Sequence, residues 1–148
     1  MIKKKMALGL GVFALGLGLY IDRQCFYAKE KRINLYSPKI KTPLRITQIS
    51  DFHSNVLANL GEVIETIKTF NTHFIILTGD IIDYGTDKKI KRSLFFLKNL
   101  MQLGIPAYFI SGNHEEAGPK LDVFVREMEN LGISYLFNDG RKIKVGDN

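Results

Sequence analysis

A single cysteine in 148 residues, Cys25, excludes an internal disulfide. Asp22-Arg23-Gln24 precede it where a lipid-modified cysteine would follow small residues, so it reads as a plain free thiol. Histidine is nearly as scarce, with His53, His73 and His114 the only three. Acidic residues are rare at the start: residues 1–45 hold Asp22 and Glu30 against ten Lys and Arg, a net of +8. Residues 46–148 hold thirteen acids against eleven bases, a net of −2, so the overall +6 belongs to the N-terminal region. A nucleic-acid surface on the rest of the chain is therefore not expected. Apolar residues, by contrast, make up 45% of the sequence, which excludes a disordered chain and at this length leaves room for one domain.

Met6 to Ile21 is a run of sixteen residues without a charge, preceded by Lys3-Lys4-Lys5 and followed by Asp22-Arg23. As a helix it would span about 24 Å, a little short of a hydrocarbon core of about 30 Å, with flanking residues and local thinning to make up the difference. Gly9, Gly11, Gly16 and Gly18 weaken a helix in water but are tolerated in membrane helices. A basic start and an apolar middle suit both a cleaved signal peptide and an uncleaved anchor. Because Ile21-Asp22-Arg23-Gln24 stands where a small-x-small cleavage site would be, residues 1–22 are expected to form a transmembrane signal anchor. Lys3 to Lys5 on the cytoplasmic side would put the remainder outside the cell membrane, an asymmetry blunted by Arg23, Lys29, Lys31 and Arg32. Residues 23–43 are expected to form a basic connector, read equally well as a tether near the lipid surface, where each charge is worth about 1 kcal/mol beside anionic head groups, or as a merely solvated linker.

Residues 44–148 alternate between two periodicities. Leu44 to Ser50 is extended and apolar-rich, and Leu57, Leu60, Ile64, Ile67 and Phe70 recur on one helical face. His73 to Thr78 is a continuous apolar run of the kind buried on both sides. Ile90, Leu94, Leu97 and Met101 with Gly104 as a stop predict a second helix, and Ala107 to Ile110 a third strand. Leu121, Phe124, Met128 and Leu131 with Gly132 predict a third helix. Ile133 to Phe137 follows as a strand, and the turn Asn138-Asp139-Gly140 leads to a last strand at Arg141 to Val145. The order β-α-β-α-β-α-β-β predicts an α/β fold whose early strands are parallel and joined by right-handed crossovers.

Three clusters fall just after predicted strands, at the carboxyl edge where such sheets place ligands: Asp51-Phe52-His53, Gly79-Asp80-Ile81-Ile82-Asp83 and Gly112-Asn113-His114-Glu115. Asp51 and His53, two residues apart, offer an oxygen and a nitrogen to one ion. Asp80 has two carboxylate oxygens, enough to bridge two ions, and Asn113 adds a carbonyl oxygen. Such donors suit Mn, Fe or Zn, and a pair of these ions is a common device for attacking phosphate esters. Taken singly, each residue has a bland reading as a helix cap or turn. Three clusters in order, each after a strand, make coincidence a poor account. His73 reads as a structural histidine at a strand start, and Glu115 and Glu116 as supports for a loop and helix start.

With D-x-H, G-D-x-x-D and G-N-H-E in this order, residues 44–148 resemble the calcineurin-like metallophosphoesterase superfamily, and with the membrane-proximal N-terminus they look most like its bacterial membrane-associated branch. The resemblance implies a four-layer αββα sandwich, of which these residues would form the N-terminal half behind one transmembrane helix. It implies two divalent metal ions, with Asp51 and His53 on the first, Asp80 bridging and Asn113 on the second. It makes His114 a catalytic group facing the substrate phosphoryl oxygens or the leaving group, and Asp83 the residue that orients it by hydrogen bonding. A metal-bridging hydroxide would then attack phosphorus in line, hydrolysing a phosphomonoester or phosphodiester.

The family's later histidine and its G-H-x-H block do not occur in these 148 residues, which leaves the second metal site incomplete. The expectation is therefore a truncated domain, with weak metal binding, little turnover and exposed apolar faces where a second sheet would pack. The alternative is a catalytically inactive, membrane-tethered interaction or regulatory module, against which the presence of Asp51, His53, Asp80, Asn113 and His114 speaks.

Overall fold

The computed structural model describes residues 2–146. A helix α1 (Ile2–Phe26) leads, and an irregular segment joins it to β1 (Ile46–Ile49), α2 (Leu60–Thr69), β2 (Phe74–Thr78), α3 (Asp87–Met101) and β3 (Ala107–Ile110). A short helix α4 (Asn113–Glu116), then α5 (Leu121–Asn130) and β4 (Ile133–Tyr135) complete it. The four strands form one parallel sheet in the order β1-β2-β3-β4, with Ile46 beside Phe74, Ile75 beside Ala107 and Ala107 beside Ile133.

Because each strand pairs with the next in sequence through a right-handed crossover, the connecting helices gather on one face of the sheet. There the alternation of the strands buries Ile75, Leu77, Ala107, Phe109 and Ile133 against Ile67 of α2, Ile90, Phe96, Leu97 and Leu100 of α3, and Phe124 and Met128 of α5. The Phe109 and Phe124 rings meet edge to face at 5.9 Å, joining strand to helix. Helices α3 and α5 both end before glycines in the left-handed region, Gly104 (φ 67°) and Gly132 (φ 85°), where a side chain would be strained.

The opposite face carries Ile46, Phe74, Ile76, Tyr108 and Ile110, and Ile46 and Ile110 are exposed. The strand expected at Arg141 to Val145 does not form. Arg141 instead reaches back to the Ser134 hydroxyl, and residues 141–144 stay exposed without pairing to β4. β4 correspondingly ends at Tyr135 rather than Phe137, and α2 starts at Leu60, leaving Leu57 in the preceding loop. His73 accepts the Arg45 backbone N–H on Nδ1 at 3.0 Å, with the Arg45 guanidinium 3.2 Å from Nε2, which ties the start of β1 to the segment entering β2.

The apolar run near the N-terminus is helical, and α1 extends beyond it to Phe26. Its described side chains from Leu8 to Phe26 are exposed, so it takes no part in the core. Among the described residues no helix is long and apolar enough to cross a membrane, a departure from the expected transmembrane anchor. Asp22, Arg23 and Gln24 lie inside the last turns of α1, and four glycines thin its apolar surface. The end of α1 is fastened to the β1–α2 loop. The Asn55 side-chain amide donates to the Cys25 carbonyl, the Ala58 N–H to the Phe26 carbonyl at 2.8 Å, and the Ala28 N–H to Asn59 Oδ1 at 3.0 Å.

Candidate metal centre

Parallel strands end at one edge, and the three loops after β1, β2 and β3 meet there. Their closeness depends on glycine. A Cβ on Gly79 (φ 83°) would lie 2.6 Å from Gly112 Cα, and one on Gly112 would lie 2.6 Å from the Asp80 nitrogen and collide with the Asp80 carboxylate. Asp51 (φ 56°), His53 (φ 49°), Ser54 (φ 54°), Asp80 (φ 55°) and Tyr84 (φ 53°) all sit in the left-handed region. Each such residue costs of order 1–3 kcal/mol and persists only where its surroundings fix it.

Here the fixing is by hydrogen bonds between loops. The His53 N–H donates to the Asp80 carbonyl at 2.8 Å and the Ser54 N–H to the Ile81 carbonyl at 3.0 Å. Buried Ser54 accepts the Asp83 N–H at 3.3 Å, and the Ser93 hydroxyl on α3 lies 3.2 Å from Ser54 Oγ and 2.8 Å from the Ile81 carbonyl. Glu115 is fully buried, and its carboxylate accepts the N–H groups of Asp80 (2.8 Å), Ile81 (2.5 Å), Ile82 (2.8 Å) and Gly112 (2.8 Å). One side chain thus binds the second loop to the third.

On this frame His53, Asp80 and His114 each present a ligand atom within 4.8 Å of the others. The His53 and His114 rings stand edge to face at 4.6 Å, and Asp51 Oδ1 lies 3.8 Å from His53 Nε2. Asp80 Oδ1 accepts the His114 backbone N–H at 3.1 Å. His114 Nδ1 lies 3.2 Å from Asp83 Oδ1, and Asp83 also pairs with Lys89. The Lys89 hydrogen bond, opposed by partial burial and helped by His114, holds the Asp83 carboxyl below its ordinary value. Asn113 stands exposed at the first position of α4, and the exposed Tyr84 ring lies 4.9 Å from His114.

Two imidazoles and a carboxylate at this spacing fit a borderline divalent ion. The group brings together His53 and Asp80, expected as ligands, with His114, expected to face substrate; Asp51 borders it, and Asn113 follows directly after Gly112 on the third loop. Residues 44–145 match the family model of the calcineurin-like phosphoesterases. The chain belongs to this family. No curated protein matches it. Calcineurin-like phosphoesterases act on phosphoesters with divalent metals, which is the chemistry the donor set suits. In this member, sequence reasoning missed Ser54, Ser93 and Tyr84. It placed Glu115 only as support for a loop and helix start. The spacing Gly112-x-x-Glu115 lets the Glu115 carboxylate reach back to the Gly112 N–H, the one half of a capping box that a glycine permits, but nothing local to it points to Asp80, Ile81 and Ile82.

Proposed function

We propose that the chain is a metal-dependent phosphoesterase whose reacting centre lies at the carboxyl edge of β1, β2 and β3. The convergence of His53, Asp80 and His114 carries this reading. Asp51, His53 and Asp80 would hold one ion, and Asp80 with Asn113 would contribute to a second. When bound, such ions supply positive charge against the phosphoryl oxygens and activate water as the nucleophile. His114, with Nδ1 engaged by Asp83, keeps Nε2 for the substrate, where it steadies a phosphoryl oxygen or delivers a proton to the leaving group. Asp83 holds the ring in that orientation, and Lys89 in turn holds Asp83. The buried Glu115 keeps the loops in register as charge builds at the edge.

The donors gathered at this edge, His53 and Asp80 with Asp51 beside them, support binding of Mn, Fe or Zn. Hydrolysis of a chromogenic phosphodiester and a chromogenic phosphomonoester, with calorimetric titration of Mn, tests this. Metal binding and metal-dependent hydrolysis, both lost in Asp80→Ala, are expected; metal binding unchanged by Asp80→Ala overturns the reading.

Membrane attachment is part of the proposal. The exposed apolar side chains of α1, among them Leu8, Leu10, Phe13 and Leu19, find no core to cover them and suit insertion into lipid. The basic connector beside α1 suits anionic head groups, and Lys3 to Lys5 favour an extracytoplasmic catalytic domain. Flotation of the chain with vesicles, lost on removal of residues 1–26, tests the attachment.

A further inference from the structure

Outside the metal centre, a groove of about 340 Å³ opens between the β1–α2 loop and α3. Its walls are apolar: Phe52 and Phe96 pack at 4.6 Å between ring centroids, with Leu57 and Leu60 beside them. Two apolar side chains on its rim are largely open to solvent, Val56 at 58% and Phe95 at 64%. An isolated exposed phenylalanine is unremarkable, but here it borders a continuous apolar depression.

The same groove carries three cations. Lys88, Lys91 and Arg92 lie on α3 three and four residues apart, so they share one helix face with Phe95 and Phe96 one turn further on. Neither Lys88 nor Arg92 makes an ion pair among the described residues. Lys91 acts on Asp87 without a direct bond, and Asp87 is itself paired to Lys120 at 2.6 Å. The lining contains no acidic residue. The domain is acidic on balance, which makes this cluster a local exception.

An apolar trough with cations along one side fits a ligand that has an apolar tail and a negatively charged head. The position narrows its source. Asn55 lines the groove and also donates to the Cys25 carbonyl, so the groove adjoins the end of α1. We propose that this groove is a binding site for an anionic phospholipid of the membrane, with the acyl chain against Phe52, Phe95 and Phe96 and the phosphate against Lys88, Lys91 and Arg92. The choice of a membrane source rests on the attachment of α1 to lipid proposed above; the groove itself does not.

The chain contains no tryptophan, so Phe95→Trp places a single reporter in the groove of the full chain, and Phe137→Trp, at another exposed position, is its control. The probe is monomeric dihexanoyl phosphatidylglycerol, compared with dihexanoyl phosphatidylcholine and inorganic phosphate. A saturable blue shift of the Phe95→Trp emission is expected with phosphatidylglycerol, at about tenfold or greater affinity than with phosphatidylcholine, and none in Phe137→Trp. Adding Lys88→Glu, Lys91→Glu and Arg92→Glu should remove the preference. Equal response to the two lipids, no response, or displacement of the lipid by phosphate at matching concentration would overturn the proposal. Vesicle flotation separates the two readings. A chain that floats without a Phe95→Trp response refutes the groove alone, and a response without flotation refutes the attachment alone.

Discussion

The Glu115 carboxylate accepts the Asp80 backbone N–H at 2.8 Å, binding a group from the third loop to the carboxylate residue of the candidate metal centre. Three further N–H groups share that carboxylate, which is itself fully buried. Replacing it by Glu115→Ala leaves several buried donors without acceptors, at about 1–3 kcal/mol each. A loss of about 3 kcal/mol or more in urea unfolding is expected, with metal affinity falling in the fraction that stays folded. Glu115→Gln keeps the shape but not the acceptor capacity and should fall between the two. Unchanged stability in Glu115→Ala would mean that the loops are held in register by other contacts.

Gly112 has an ordinary extended backbone, so its requirement is for space rather than for φ. A methyl group there meets the Asp80 nitrogen and carboxylate, both fixed on the neighbouring loop. Gly112→Ala is expected to cost about 1–3 kcal/mol as an overpacked contact and to push the Asp80 carboxylate out of the donor group. Calorimetric titration with Mn should show weaker binding than in the parent chain. Gly104→Ala serves as the contrast: nothing lies within 4 Å of its added methyl, so its cost comes from the left-handed backbone alone and metal binding should be untouched.

The contrast between Glu115 and Asp80 also marks how far the sequence could be read. Strand and helix order, and the edge at which the loops meet, followed from local periodicity, because Phe74 to Thr78 or Ile90 to Met101 carry their signal within a few residues. That His53 and Asp80 meet at that edge was legible for the same reason. What escaped depends on contacts between distant segments. Ser54 and Ser93 are ordinary polar residues until the fold places one hydroxyl beside the other, 39 residues away in sequence. The missing last strand at Arg141 to Val145 is the reverse case, a local strand pattern with which no described segment pairs. The helical run near the N-terminus was legible as apolar, yet its charged final turn lay outside the window that suggested an anchor.

Asp83 supplies a dependence on pH with a definite sign. Its carboxyl is held below the ordinary value chiefly by Lys89, so the stability it lends is present above the unfolded-state pKa and is lost as pH falls through the lower folded-state value. Lys89→Met removes the main cause and brings the folded value back toward the ordinary one. In metal-free protein, thermal unfolding followed between about pH 6 and pH 2 should show the variant less stable than the parent above the carboxylate range, with the difference closing as Asp83 protonates in both. A constant difference across that range would place the effect of Lys89 in packing rather than in its charge.

His114 belongs to the donor group by distance, and its Nδ1 faces Asp83, so a metal ligand and a substrate-facing acid are two distinct roles for its other nitrogen. The two roles separate under substitution. If Nε2 faces substrate, His114→Asn leaves Mn affinity within about twofold of the parent, since His53 and Asp80 are untouched, while phosphodiester hydrolysis falls by about 10²–10⁴, the usual contribution of a positioned acid. Asp83→Asn should then lower turnover by a smaller factor through loss of ring orientation, again with metal affinity kept. If Nε2 is a ligand, both affinity and turnover fall together in His114→Asn, as they do in His53→Asn. The first pattern is expected, because Asp83 engages Nδ1 and fixes the ring, while His53 and Asp80, with Asp51 beside them, supply donors to the ion without His114.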